Sequence, residues 1–195
     1  MKSLARILAE YVFNKGMITK EECQEYEYGF VIAMEKGLSL IISLCIAVLM
    51  NAIVEAVLFF IIFIPLRKYA GGLHLSKYSY CLILSCLTFS AVMYISKFLQ
   101  IDSSIALLLI ICMDLLIIVM YPVENINRDV DEKENIFFKK RLERNLLINL
   151  VIAMVCILFN KRHYLLVIVG TLVMITSTMY IGKIKYNKEK KNPSL

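Results

Sequence analysis

The chain has no tryptophan, two histidines, three prolines and seven glycines, and its six cysteines include no C-x-x-C pair. Each shortage excludes something. Without paired cysteines or an H-E-x-x-H helix there is no ligand set for structural zinc or for zincin chemistry, and no metal or other cofactor is expected. Cys45, Cys86, Cys112 and Cys156 sit inside apolar runs, where cysteine behaves as a small hydrophobe, so their scatter does not read as a disulfide framework. No Pro, Gly or Ser-rich linker, internal repeat or low-complexity tract divides the 195 residues, which form a single domain, 1–195, against a usual prior of about 100 to 200 residues. Met1 to Lys15 lacks an uninterrupted apolar core and a small-residue cleavage site, so no cleavable signal is expected.

What is abundant is apolar surface. Hydrophobic residues make up 59% of the chain, against about 45 to 50% in soluble domains, and the mean hydropathy is +0.71. A bilayer is therefore the solvent. The apolar runs are Gly37–Met50, Ala52–Leu66, Tyr80–Phe98, Ile105–Tyr121, Leu146–Phe159 and Tyr164–Ile181. They predict an all-α integral membrane protein of about six transmembrane helices. The second run is short: 15 residues including Glu55 reach only about 22 Å at 1.5 Å per residue, against a hydrocarbon core of about 30 Å. Either its helix starts in the interface, or Pro65 and the Gly71-Gly72 pair leave irregular backbone at membrane depth, which is tolerated only where it lines a protein cavity. Four full spans with two re-entrant or interfacial segments stay open for that reason.

Ahead of the spans, Leu4, Ile7, Leu8, Tyr11 and Val12 follow the helical i, i+3, i+4 rule, with Lys2, Arg6 and Lys15 off that stripe. An amphipathic helix lying in the interface over residues 1–16 is expected. Thr19 stands three residues before Glu22 as a capping box, announcing a helix that runs into the first span, and Asn51 marks the turn after it. Residues 122–145 form a mixed-charge loop, and 183–195 a basic tail.

With six spans both termini share one side. Nineteen of the 22 lysines and arginines then fall on the side of the termini, leaving Lys97, Lys161 and Arg162 on the other. The positive-inside rule makes the termini, the Pro65–Cys81 loop and the charged loop cytoplasmic. Topology and anionic headgroups account for the net charge of +6, so nucleic acid is not an expected partner.

Chemistry concentrates between Pro65 and Cys81. Arg67, Gly71, Gly72, His74 and Cys81 bring a fixed positive charge, two flexible positions, a base and a nucleophile into one short stretch. On an unbroken helix His74 and Cys81 would share a face but lie about 10.5 Å apart along the axis. Catalysis needs roughly 2.6 to 3.2 Å, so the chain has to fold back. The glycines permit this by admitting positive φ, and Ser76 is placed to cap a helix that starts just before Cys81, where the positive helix end and a protonated His74 favour a thiolate. Arg67 is suited to a substrate carboxylate or a developing oxyanion; its other reading is a snorkelling, topology-setting arginine.

The pattern R-x-x-x-G-G-x-H-x(6)-C over Arg67, Gly71, Gly72, His74 and Cys81 resembles the signature of the accessory gene regulator B family of membrane cysteine endopeptidases. Glu27-Tyr28-Gly29 and Pro122-Val123-Glu124 sit where that family has comparable, weaker motifs. The resemblance implies quorum sensing at the cell membrane of a Gram-positive bacterium. It implies an AgrD-like propeptide as partner, cut after its signal segment through a thioester on Cys81 with His74 as activating base, and closed into a thiolactone or lactone ring. Arg67, Gly71 and Gly72 match positions that the family needs around the site. A homodimer is also implied.

Other residues carry two readings. Asp114, in the fourth span, is a costly intramembrane carboxyl that either orients His74 as the third member of a triad or is protonated and hydrogen-bonded between helices. Lys139, Lys140 and Arg141 either draw in an acidic propeptide tail or set topology. Glu55 and His163 are expected at the opposite membrane face, away from catalysis. The competing function is a peptide exporter or membrane scaffold without chemistry, with Asp114 and Glu55 lining a path.

Overall fold

Seven helices build the computed structural model, which describes residues 2–71, 78–122 and 132–191 and contains no strand among them. In chain order they are α1 (Lys2–Asn14), α2 (Cys23–Leu49), α3 (Ile53–Ala70), α4 (Tyr78–Phe98), α5 (Ser103–Met120), α6 (Glu132–Leu158) and α7 (Arg162–Lys191). By length and composition four of them, α2, α4, α5 and α7, qualify to cross a membrane. The all-α membrane class therefore stands, with four long apolar helices in place of a uniform six. Charge explains the difference: α3 carries Glu55, Arg67 and Lys68 within its 18 residues, and Arg141, Glu143 and Arg144 interrupt α6.

Helix α1 buries only Ala5 and Ala9 while packing on α2, and turns Leu4, Ile7 and Tyr11 outward. An apolar face left outside the bundle is what an interfacial helix requires. Gly16, at φ +69°, ends the following turn. Thr19 and Glu22 then bond reciprocally as the expected box would, Glu22 N donating to Thr19 Oγ1 at 3.3 Å and Thr19 N to Glu22 Oε2 at 2.8 Å, but in the turn ahead of α2, whose N-cap is Glu22. These bonds hold the exposed Glu22 carboxyl below its usual pKa, first through the Thr19 backbone amide and then through its hydroxyl. The α2–α3 turn falls at Asn51, at φ +50°, a left-handed conformation that asparagine tolerates.

Two boundaries depart from expectation. Helix α6 starts at Glu132, inside the stretch read as a charged loop, and α7 runs to Lys191 through most of the basic tail. Glu, Lys, Arg and Leu are all strong helix formers, so charge alone does not make a loop. Arg141 lies over the Phe137 ring at 4.9 Å, one turn apart on α6, a favourable contact along the helix.

Helix α7 is the hub. It packs against α3, α4, α5 and α6, and it buries Leu165, Val167, Ile168, Leu172, Ile175 and Met179. One cluster joins α3, α5, α6 and α7; the other joins α2, α3, α4 and α7 around Phe59 and Phe89, whose rings meet edge to face at 5.1 Å. Against α4 the approach is close. A Cβ on Gly170 would stand 3.1 Å from both Val92 methyls, the small-residue contact by which membrane helices gain packing without a hydrophobic driving force. The outer faces stay apolar, with Leu49, Val119 and Leu158 more than three-quarters exposed, as lipid contact allows.

Candidate active site

The stretch singled out for chemistry begins at the last turn of α3. Pro65 lies inside that helix, and Arg67 and Lys68 occupy its final turn, where positive charge complements the helix dipole. Gly71 then ends the helix at φ +77° and ψ −152°, backbone that essentially only glycine enters. Arg67 Nη1 donates to the Gly71 carbonyl at 2.6 Å, so one side chain both caps the helix end and fixes the residue at which the chain leaves it. Gly71→Ala is expected to lose processing activity more than tenfold, since a strained residue costs about 1 to 3 kcal/mol. Activity beside thermal melting of the purified variant checks this, with melting moving by only a few degrees.

Gly72, His74 and Ser76 lie outside the described residues. Helix α4 begins at Tyr78. Cys81 is therefore in the first turn of the helix. The thiol is free and exposed, accessible as a nucleophile must be. It also lies within electrostatic range of the half-buried Arg67 guanidinium. The structure thus joins Arg67 to Gly71 at the end of α3 and sets Cys81 in the first turn of α4, on the two sides of the glycine-histidine segment.

Three contacts that no periodicity announces hold this end of the bundle. Tyr78 Oη donates to the Glu35 carbonyl of α2 at 2.7 Å and stands 3.1 Å from Ser39 Oγ. Tyr69, two residues after Arg67, meets Phe138 of α6 with ring centroids 5.8 Å apart. Tyr121 Oη lies 2.7 Å from Asn135 Oδ1 and 3.1 Å from the Asn135 carbonyl oxygen, joining the end of α5 to the start of α6. Each uses a tyrosine; in Tyr78 and Tyr121 the hydroxyl finds a polar partner, as tyrosine hydroxyls away from water commonly do.

Asp114 of α5 comes within interaction range of the Asn149 amide of α6. The geometry falls short of a hydrogen bond: Asp114 Oδ1, both polar atoms of Asn149, and Asn145 Nδ2 are buried without a hydrogen-bond partner among the described residues. Asn145 and Asn149 line a cleft of about 20 Å³ with Ile61, Pro65 and Ile148. That is room for one water, not for a peptide. Sequence reasoning passed over both asparagines; their i, i+4 spacing within an apolar helix was the available signal.

Glu55 and His163 pair at 3.9 Å where α3 and α7 begin, at the end of α3 remote from Arg67. Lys139 and Lys140 are exposed on α6 while Arg141 is half-buried. Tyr28 and Gly29 are exposed on α2. No group of His, Cys, Asp and Glu able to hold a metal occurs among the described residues.

Compared with known proteins, the chain matches the family model described as AgrB, accessory gene regulator B, over residues 5–180. No curated protein and no solved structure matches it.

Proposed function

The chain belongs to the accessory gene regulator B family, whose members process the AgrD propeptide, and we propose that it does so as a membrane cysteine endopeptidase with Cys81 as nucleophile and His74 as base. The observation that carries this reading is the free, exposed Cys81 thiol in the first turn of α4, across the segment that holds His74 from the Arg67–Gly71 hydrogen bond.

His74 takes the thiol proton as Cys81 Sγ attacks the carbonyl carbon of the scissile peptide bond. Negative charge develops on the carbonyl oxygen, and Arg67 is the cation available to it. Collapse breaks the C–N bond, His74 passes the proton to the leaving amine, and the signal segment stays on Cys81 as a thioester. A cysteine thiol or serine hydroxyl within the bound peptide then attacks the thioester carbonyl. Its proton returns by way of His74 to the departing Cys81 sulfur, and a ring is released. An intramolecular nucleophile outcompetes water through its effective concentration, about 10⁵ M or more in well-oriented cases.

We assign Gly71 and Gly72 to the backbone path, Arg67 to substrate positioning, and Asp114 to interhelical polar contact, the role supported by Asn149 beside it. Six membrane segments with cytoplasmic termini and catalytic loop, and a homodimer as the resemblance implies, complete the proposal. Protein reconstituted in liposomes with the propeptide is expected to cut it at one site and release the C-terminal tail. Transport of uncut peptide with no cleavage would instead support the exporter reading.

A further inference from the structure

We infer that Tyr78 is a positioning residue for the reaction: its hydroxyl, bonded to α2, sets the first turn of α4 and thereby the place of the Cys81 thiol. The inference rests on the proposal that Cys81 is the nucleophile. Tyr78 is the first residue of α4 and Cys81 stands at i+3, on neighbouring positions of one helix face. A rotation or shift of that turn moves the thiol with it.

What holds α4 is unevenly distributed. It packs against α2 and α7 and meets α3 through the Phe59, Phe60 and Phe89 rings, about two turns past Cys81, whereas Arg67 lies in the last turn of α3 and Gly71 caps it. At the Cys81 end itself, the Tyr78 hydrogen bond holds α4 to α2. Among the described residues, side-chain hydrogen bonds tie α4 to α2 at its first residue, where Tyr78 Oη reaches the Glu35 carbonyl at 2.7 Å and Ser39 Oγ at 3.1 Å, and to the C-cap of α2 near its last turn, where Lys97 Nζ donates to the Met50 carbonyl at 2.9 Å. The two helices consequently run parallel, clasped at both ends of α4.

The clasp beside Cys81 is the more elaborate. A helix carbonyl keeps a second lone pair after serving its own i+4 amide, and at Glu35 O it is within reach of both the Tyr78 hydroxyl at 2.7 Å and the Ser39 hydroxyl at 3.0 Å. Ser39 Oγ also lies 3.1 Å from Tyr78 Oη. The three oxygens form a half-buried cluster whose two hydroxyl protons fill two of its three contacts at a time, and hydrogen bonds away from bulk water polarise one another. Proton transfer and acyl transfer tolerate little error, and a displacement of about 1 Å costs up to a hundredfold in rate.

Tyr78→Phe removes the hydroxyl and keeps the ring. In liposomes its single-turnover acylation rate is expected to fall about tenfold or more with the half-saturating propeptide concentration unchanged, and Ser39→Ala to fall less in the same direction. Lys97→Met, which cuts the clasp at the far end of the same helix pair, should keep the wild-type rate. A second arm needs no propeptide: alkylation of Cys81 by iodoacetamide, read by mass on the Cys81-containing fragment, should slow in Tyr78→Phe and not in Lys97→Met. Wild-type acylation and alkylation by Tyr78→Phe would overturn the inference. So would a matched loss of rate and melting temperature in both the Tyr78 and Lys97 variants, which would mark an ordinary packing role. If Cys81→Ala still cuts the propeptide, the nucleophile assignment fails, and the alkylation arm still decides the geometric claim: a slowed rate upholds it and an unchanged rate ends it.

Discussion

Replacing Cys81 with alanine removes propeptide cleavage, by at least about a thousandfold, and leaves the protein folded. Losing a catalytic nucleophile costs up to about 10⁶ in rate, with binding and polar stabilisation accounting for what remains. Stability is spared because the side chain is exposed, and surface substitutions away from special features stay within about 0.5 kcal/mol. Cleavage by the purified variant in liposomes, beside its melting curve, checks both halves. Cys81→Ser is also expected to be strongly impaired, since a hydroxyl lacks the thiolate character on which His74 and a nearby cation act. An intact melting curve matters because a misfolded alanine variant would also be inactive.

Arg67 carries the second large effect. Its guanidinium binds the Gly71 carbonyl and lies within range of Cys81, so Arg67→Leu loses the helix-end bond and the cation together. The expected fall is about a hundredfold, the cost of removing one donor from a charge-stabilising site. Arg67→Lys separates the two readings of this residue. A lysine preserves the charge that orients a membrane segment, but not the planar fork that serves a carbonyl and a reacting group at once. If Arg67 only sets topology, the lysine variant cleaves like wild type; under the proposed role it falls between leucine and wild type. Labelling of single exposed cysteines from each side of the bilayer would show topology unchanged in both variants.

How much of this was legible in the residues varied with the range of the interaction. Local chemistry was readable: Thr19 and Glu22 bond reciprocally, Asn51 makes its turn, and Gly71 adopts positive φ. Period carried further, since the stripe on α1 does leave Leu4, Ile7 and Tyr11 outside the bundle. Charge misled where it was treated as a loop signal, because 132–145 and 183–191 are helical. The shortness of the second apolar run did foreshadow α3, whose three charges set it apart from the four long apolar helices.

Tertiary polar contacts were not legible at all. Tyr78 bonds a carbonyl 43 residues away, and a backbone acceptor leaves no residue-type signature. Asn149, almost fully buried at 2% exposure, reads in sequence as one polar residue in an apolar run. The candidate site shares this limit: motif spacing singled out Arg67, Gly71, Gly72, His74 and Cys81, while the helices that carry Arg67 and Cys81 became visible only in three dimensions.

The most direct test of the central claim is intact mass spectrometry of the liposome-reconstituted protein after mixing with its propeptide. The account predicts a mass increase equal to the propeptide minus its C-terminal tail, reversed by hydroxylamine and absent from Cys81→Ala. Equal cleavage by the Cys81→Ala protein, with no adduct on wild type, would contradict it.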